Sequence, residues 1–301
     1  MKISQNPQKT NIYTKNNLSV VGNNAVKSDK SLQVNSFLWG NNQLSSQLSL
    51  NFKNSISFSA QKSNFTNTKL INKFNNTIAE IDQNITDVNF DNLKIEKKLE
   101  NGKTKLILPE KYKKFEDNLN TIIEIIPEFA ETIGRKQFVN PTYPQYSHKN
   151  TLDIHILDVL QRFIKNDDYK NLSEKDKYLG KIAILTHDVK KDEGVNDKNH
   201  PFKSAIVAQK IGNRLNLSAK DRKKIRELVE NHHWSQNISE KKESIEDVAL
   251  KFKQNGTWNI AKIFAKVDLK SVSDEIYEKL KDTLGNYTEE IQKLLNEKPS
   301  P

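Results

Sequence analysis

The chain has 301 residues, of which 35% are apolar and 29% charged, with a net charge of +10 and no cysteine. The lack of cysteine excludes disulfides, thiolate metal ligands and a cysteine nucleophile. No apolar run approaches the length of a membrane-spanning helix, and the opening "MKISQNPQKTNIY" lacks the apolar core of a signal peptide, so a cytoplasmic protein with no membrane segment is expected.

The positive charge is unevenly spread. Residues 1–79 hold nine Lys, no Arg and one Asp, so they carry +8 and the remaining 222 residues only +2. Residues 1–85 are also rich in Asn, Ser and Gln, with scattered apolar positions, and this composition predicts a disordered tail. Its charge leaves room for a nucleic-acid partner. The absence of Arg and the sparse aromatic residues make it a weak platform for specific RNA binding.

Helical periodicity begins near Lys105. "PEKYKKFEDNLNTIIEIIPEFAETIG" places apolar residues at three-and-four spacing, with Pro127 marking a break, and "NPTYPQYSHKN" reads as a loop. "NTLDIHILDVLQRFIK" predicts a strongly apolar helix. "SEKDKYLGKIAILTHD" follows with Ser173 as N-cap, and then "HPFKSAIVAQKIGNRLNL" with Pro201 in its first turn. "SAKDRKKIRELVENHHW", capped by Ser218, precedes "SIEDVALKFKQNG" and "WNIAKIFAKVDLKSVSDEIYEKLKDTLG". With no strand series and no repeat, the reading is an all-α domain over 104–285, preceded by the tail at 1–85 and followed by a polar helix and tail over 286–301.

All six histidines lie between residues 148 and 233. His155 shares a helical face with Leu152 and Val159, His187 and Asp188 follow Ala183, Ile184 and Leu185, and His232 follows Leu228 and Val229. Asp268 lies four residues from both Phe264 and Val272. Periodicity thus turns three imidazoles and two carboxylates toward the interior, where an unpartnered carboxylate is costly. A divalent cation among them removes the difficulty. Neutral imidazole with ionised carboxylate suits Mn, Fe, Co, Ni or Zn better than Ca.

The ordered series His155, His187-Asp188, His200, His232-His233 and Asp268 resembles the HD-domain superfamily of metal-dependent phosphohydrolases. The likeness runs from about Leu108 to Asp274. "IIPEFAETIGRKQ…YSHKNTLDIHILDVL" looks like the entry to the HD domains of bacterial uridylyl-removing enzymes and tRNA nucleotidyltransferases. "LTHDVKK", "NHPFKSAIVAQKI", "LVENHH" and "AKVD" are similar to the motifs that follow it. The resemblance implies an HD-like helical bundle with His155, His187, Asp188 and Asp268 on the principal metal. It also implies that His200 and His232 face the substrate or hold a second ion, so one or two ions (Mn, Mg, Fe, Co, Ni or Zn) are expected. His148 matches an upstream histidine and is given at most a substrate-side or supporting role; His233 is an alternative to His232. Lys190 stands where the family often has Gly, and Lys191 after it is a candidate phosphate contact. The nucleotidyltransferase domain that often precedes this kind of HD domain has no counterpart in the first 85 residues.

The implied reaction is hydrolysis of a phosphomonoester or phosphodiester of a phosphorylated small molecule of nucleotide type. Asp188, His200, His232 and Lys191 form the catalytic set. The alternatives are a catalytically idle HD module that binds a nucleotide or a partner, and a related hydrolase of guanosine tetra- or pentaphosphate.

Overall fold

A computed structural model describes residues 68–297. The expected tail at 1–67 and the end of the C-terminal tail therefore lie outside the described residues. Within them the fold is all-α, with one small hairpin.

Helix α1 covers residues 68–86, so the predicted disorder over 1–85 is corrected for its last part. Ile71, Phe74, Ile78, Ile81 and Ile85 recur at three-and-four spacing and are all buried. The Asn- and Lys-rich face between them had masked this stripe. Polar contacts bind α1 to the body. The Lys181 ammonium, itself only 4% exposed, donates to Ile78 O at 2.6 Å and to Asp82 Oδ1 at 2.8 Å, and the Tyr169 hydroxyl donates to Asp82 Oδ2 at 2.6 Å. Gln161 Nε2 donates to the carbonyls of Ile85 and Val88 beyond the last turn. The packed body therefore begins well before residue 104.

Strands β1 (Glu96–Glu100) and β2 (Lys103–Ile107) pair antiparallel, with Glu100 opposite Lys103. Asn101 and Gly102 between them both have positive φ, 51° and 75°. That is the two-residue turn whose twist matches a hairpin, and Asn-Gly is its preferred sequence.

The helices that follow are α2 (Lys113–Ile125), α3 (Pro127–Ala130), α4 (Leu152–Ile164), α5 (Glu174–Thr186), α6 (His200–Arg214) and α7 (Ala219–Glu230). After them come α8 (Trp234–Ser239), α9 (Ile245–Asn255), α10 (Trp258–Val272) and α11 (Asp274–Asn296). Ser173 and Ser218 cap α5 and α7 as expected, accepting from Asp176 N and Asp221 N at 3.1 Å, and Pro201 sits in the first turn of α6. The expected single helix over 258–285 is divided at Ser273. This residue is extended (φ −167°, ψ 135°), and its hydroxyl accepts from Ile276 N. From there α11 runs unbroken through Gly285, so the C-terminal polar helix expected from 286 is the second half of α11.

Helix α4 is buried on nearly every side and packs on α5 and α10. The last eight residues of α5, Leu179–Thr186, are all buried as the helix runs into the core. Gly180 permits this crossing: a Cβ there would lie 2.7 Å from the Phe163 ring and 3.2 Å from Ile260 Cγ2. Helices α6 and α7 pack together and close one side.

Candidate metal centre

The central helices α4, α5 and α10 bring His155, His187-Asp188 and Asp268 together, and the start of α6 and the end of α7 add His200 and His232. All six side chains are buried. Phe264 packs against the rings of His187 and His232, at 5.3 and 5.9 Å between centroids.

Asp188 joins two sets of donors. On one side its Oδ2 lies 3.7 Å from His187 Nε2 and 3.8 Å from His155 Nε2. Asp268 Oδ1 completes this set, 3.1 Å from His155 Nε2 and 3.7 Å from His187 Nε2. On the other side Asp188 Oδ1 lies 3.0 Å from His200 Nε2 and 3.6 Å from His232 Nε2. Within each set the paired imidazole nitrogens, His155 with His187 and His200 with His232, are 3.4 Å apart. Ligand atoms about 2.1 Å from one cation, at tetrahedral or octahedral angles, lie about 3.0–3.4 Å from each other.

The outward-facing nitrogens fix the tautomers. Nδ1 of His187 meets Ile184 O at 2.7 Å, Nδ1 of His200 meets Asp197 O at 2.5 Å, and Nδ1 of His232 meets Val229 O at 2.7 Å. A carbonyl only accepts, so each Nδ1 carries the proton and each Nε2 turns a bare lone pair inward. Bare nitrogens cannot hydrogen-bond to one another or to a carboxylate. Accordingly Asp188 Oδ1 has no hydrogen-bond partner, although His200 Nε2 is close. Lone pairs converging on a buried carboxylate are repulsive until a cation or proton stands among them. This donor set therefore fits a divalent metal of the borderline class, and carbonyl support for the outer nitrogen is the usual company of a ligating histidine. His155 differs, because its Nδ1 meets the hydroxyl of Ser271 at 3.0 Å, a group able to donate or accept.

The electrostatics agree. Burial opposes ionisation of both aspartates. With a proton rather than a cation among the nitrogens, the Lys191 ammonium and the charge taken up by the imidazoles outweigh it at Asp188, and an imidazole proton turned to the carboxylate does so at Asp268, so both carboxyls sit well below the usual range. Burial drives the imidazoles of His232 and His148 well below theirs. At His187 burial is overcome by the Asp188 and Asp268 carboxylates and the net shift is upward.

Lys191 lies inside the site. Its ammonium is 3.0 Å from Asp188 Oδ2, 3.1 Å from Gln137 Oε1 and 3.3 Å from His148 Nε2. Lys190 points away and pairs with Glu131 at 2.7 Å. His148 stacks edgewise on His155 and keeps a buried Nδ1 without a hydrogen-bond partner. Of the two neighbouring histidines, His232 is the one at Asp188, while His233 forms part of the pocket wall, with its ring 5.1 Å from that of His200. Burial pushes the His233 imidazole down to about 4. Gln137 and Ser271 were not anticipated. Ser271 follows Asp268 by one helical turn on the same face, a spacing visible in the sequence, whereas Gln137 lies in a loop and carries no such signal.

A pocket of about 300 Å³ opens onto this cluster, exposing Lys191, His200, His232 and Asp268 beside the apolar Leu269 and Val272. Its loop walls are tied together, Gly194 N donating to Lys136 O and Lys136 N to Glu193. A larger hollow of about 930 Å³ lies between α1, the hairpin and α2; it contains no histidine and is remote from the chemistry. No helix among the described residues is long and apolar enough to cross a membrane. Compared with known proteins, the chain matches no protein-family model and no curated sequence.

Proposed function

We propose that the protein is a metal-dependent phosphohydrolase of HD type, cleaving a phosphomonoester or phosphodiester of a nucleotide-like small molecule. The observation that supports this most is Asp188, a buried carboxylate with each oxygen facing a separate pair of imidazole Nε2 atoms. His155, His187, Asp188 and Asp268 would hold the principal ion, with His200 and His232 available to a second one that shares Asp188. Such an ion, drawn from Mn, Mg, Fe, Co, Ni or Zn, supplies Lewis acidity, polarising a phosphoryl oxygen and acidifying water.

The remaining work falls to the chain. Lys191, held by Gln137 and His148, brings a positive charge to the pocket wall, where it meets the charge that grows on phosphoryl oxygens. Carbonyl partners keep the Nε2 atoms of His187, His200 and His232 aimed inward without reorganisation. The apolar wall of Leu269, Val272 and Ile276 receives the organic part of the substrate, and the pocket's size suits a small molecule.

The test is hydrolysis of nucleoside monophosphates, cyclic nucleotides and dinucleotides by the manganese-loaded chain, with products separated by chromatography. Turnover that is abolished by chelation and by Asp188→Ala supports the reading. Tight metal binding without turnover on any of these compounds would replace it with a catalytically idle, ligand-binding HD module.

A further inference from the structure

Two hollows meet at His200 and His233. The first is the 300 Å³ pocket over the metal-ligating residues. The second, of about 350 Å³, shares Asn196, Asp197, His200, His233 and Gln236 with it and extends the other way, between Lys198 and Phe202 on one side and Asn237 and Lys242 on the other. A phosphomonoester carries one organic group and needs one pocket beside its phosphorus. An acyclic diester carries two, directed apart from the phosphorus, and needs two.

The second hollow has the features of a site for a flat heteroaromatic group. Phe202 is 53% exposed, on the rim of the hollow. A lone exposed apolar side chain means little by itself. Here it borders a concavity that shares the His200 imidazole with the first pocket, and the amides of Asn199 and Asn237 line the same space.

We propose that the substrate is an acyclic phosphodiester, with one arm in the first pocket and a planar, base-bearing arm stacked on Phe202 in the second; this rests on the hydrolase reading. In the reaction, the oxygen of water bonds to phosphorus and one P–O ester bond breaks. One proton of that water goes to the departing oxygen and the other to solvent, leaving a monoester and an alcohol.

The experiment uses the full chain with bis(p-nitrophenyl) phosphate and p-nitrophenyl phosphate. Two quantities are read: the diester-to-monoester ratio of kcat/KM with manganese, and equilibrium binding of the diester to the metal-free chain by saturation-transfer NMR. The wild type should prefer the diester. Loss of one aromatic stacking partner in Phe202→Ala should lower both the ratio and the affinity by about tenfold. Leu250→Ala, an exposed apolar side chain on α9, should change neither. A preference for the monoester, or a ratio and affinity unmoved by Phe202→Ala, overturns the proposal while leaving the hydrolase intact. If neither ester is hydrolysed, the hydrolase reading falls and binding decides. Affinity lost in Phe202→Ala then keeps the two-armed site, and affinity retained removes it.

Discussion

Deleting residues 1–86 should unfold the protein rather than trim a tail. The deletion removes five apolar side chains of α1, namely Ile71, Phe74, Ile78, Ile81 and Ile85, each 8% exposed or less. Burying one such side chain is worth about 1.5–3 kcal/mol, so the set contributes about 7–15 kcal/mol. The whole stability of a domain is about 5–15 kcal/mol. Asp82→Ala is the milder test, because it leaves α1 over Lys181 and removes only the carboxylate that pairs with the buried ammonium. Breaking a fully buried ion pair costs ~3–5 kcal/mol, an upper bound for Asp82→Ala because the Asp82 side chain is partly open to solvent. The assay is urea unfolding followed by far-ultraviolet circular dichroism, comparing the full chain, the deletion and Asp82→Ala. The deletion should show no cooperative transition, and Asp82→Ala a transition shifted to lower urea. A cooperative transition of the deletion near that of the full chain would refute the reasoning and return α1 to the status of an appendage.

Three further outcomes follow from single contacts. Ser271→Ala removes the hydroxyl that orients His155, and manganese affinity measured by calorimetry should fall about 10–100-fold with the fold unchanged. Gly180→Ala forces a Cβ against Phe163 and Ile260 and should cost about 1–3 kcal/mol in thermal unfolding. At Glu128 burial opposes ionisation, but the two-pronged contact from Arg214, at 2.7 and 2.8 Å, outweighs it and lowers the carboxyl. A lowered carboxyl contributes stability above its unfolded value, about 4.3, and loses it as pH falls through the folded value. The advantage of wild type over Glu128→Gln should therefore be complete at pH 7 and shrink in acid, as read by urea midpoints across that range.

The parts of this architecture that were legible in the sequence share a cause. Histidine and aspartate on otherwise apolar helical faces are rare enough to stand out, and His155, His187, Asp188, His200, His232 and Asp268 do converge. The serine caps at 173 and 218 were equally readable because N-capping is decided within four residues. Helix α1 was hidden by composition: its isoleucines keep helical spacing, but Asn, Lys and Thr between them lower the average to that of a tail. The hairpin had a local signal in Asn101-Gly102, yet the flanking strands, EKKLE and KTKLI, are mostly charged or polar and give little apolar contrast. Lys181 was unreadable for another reason. Its partners are about a hundred residues away on α1, and nothing near it in sequence marks a buried ammonium. The two-sided role of Asp188 is likewise a property of tertiary geometry, set by which nitrogen of each histidine faces a carbonyl.

The central claim is that the buried charges are a metal site. The most direct measurement is bound metal per chain, by elemental analysis after manganese loading and exhaustive desalting, for wild type and Asp188→Ala. The account predicts about one or two ions in the wild type and none retained in the variant, because both donor sets lose their shared carboxylate. A folded wild type that retains no metal, or a variant that retains as much as the wild type, would contradict it.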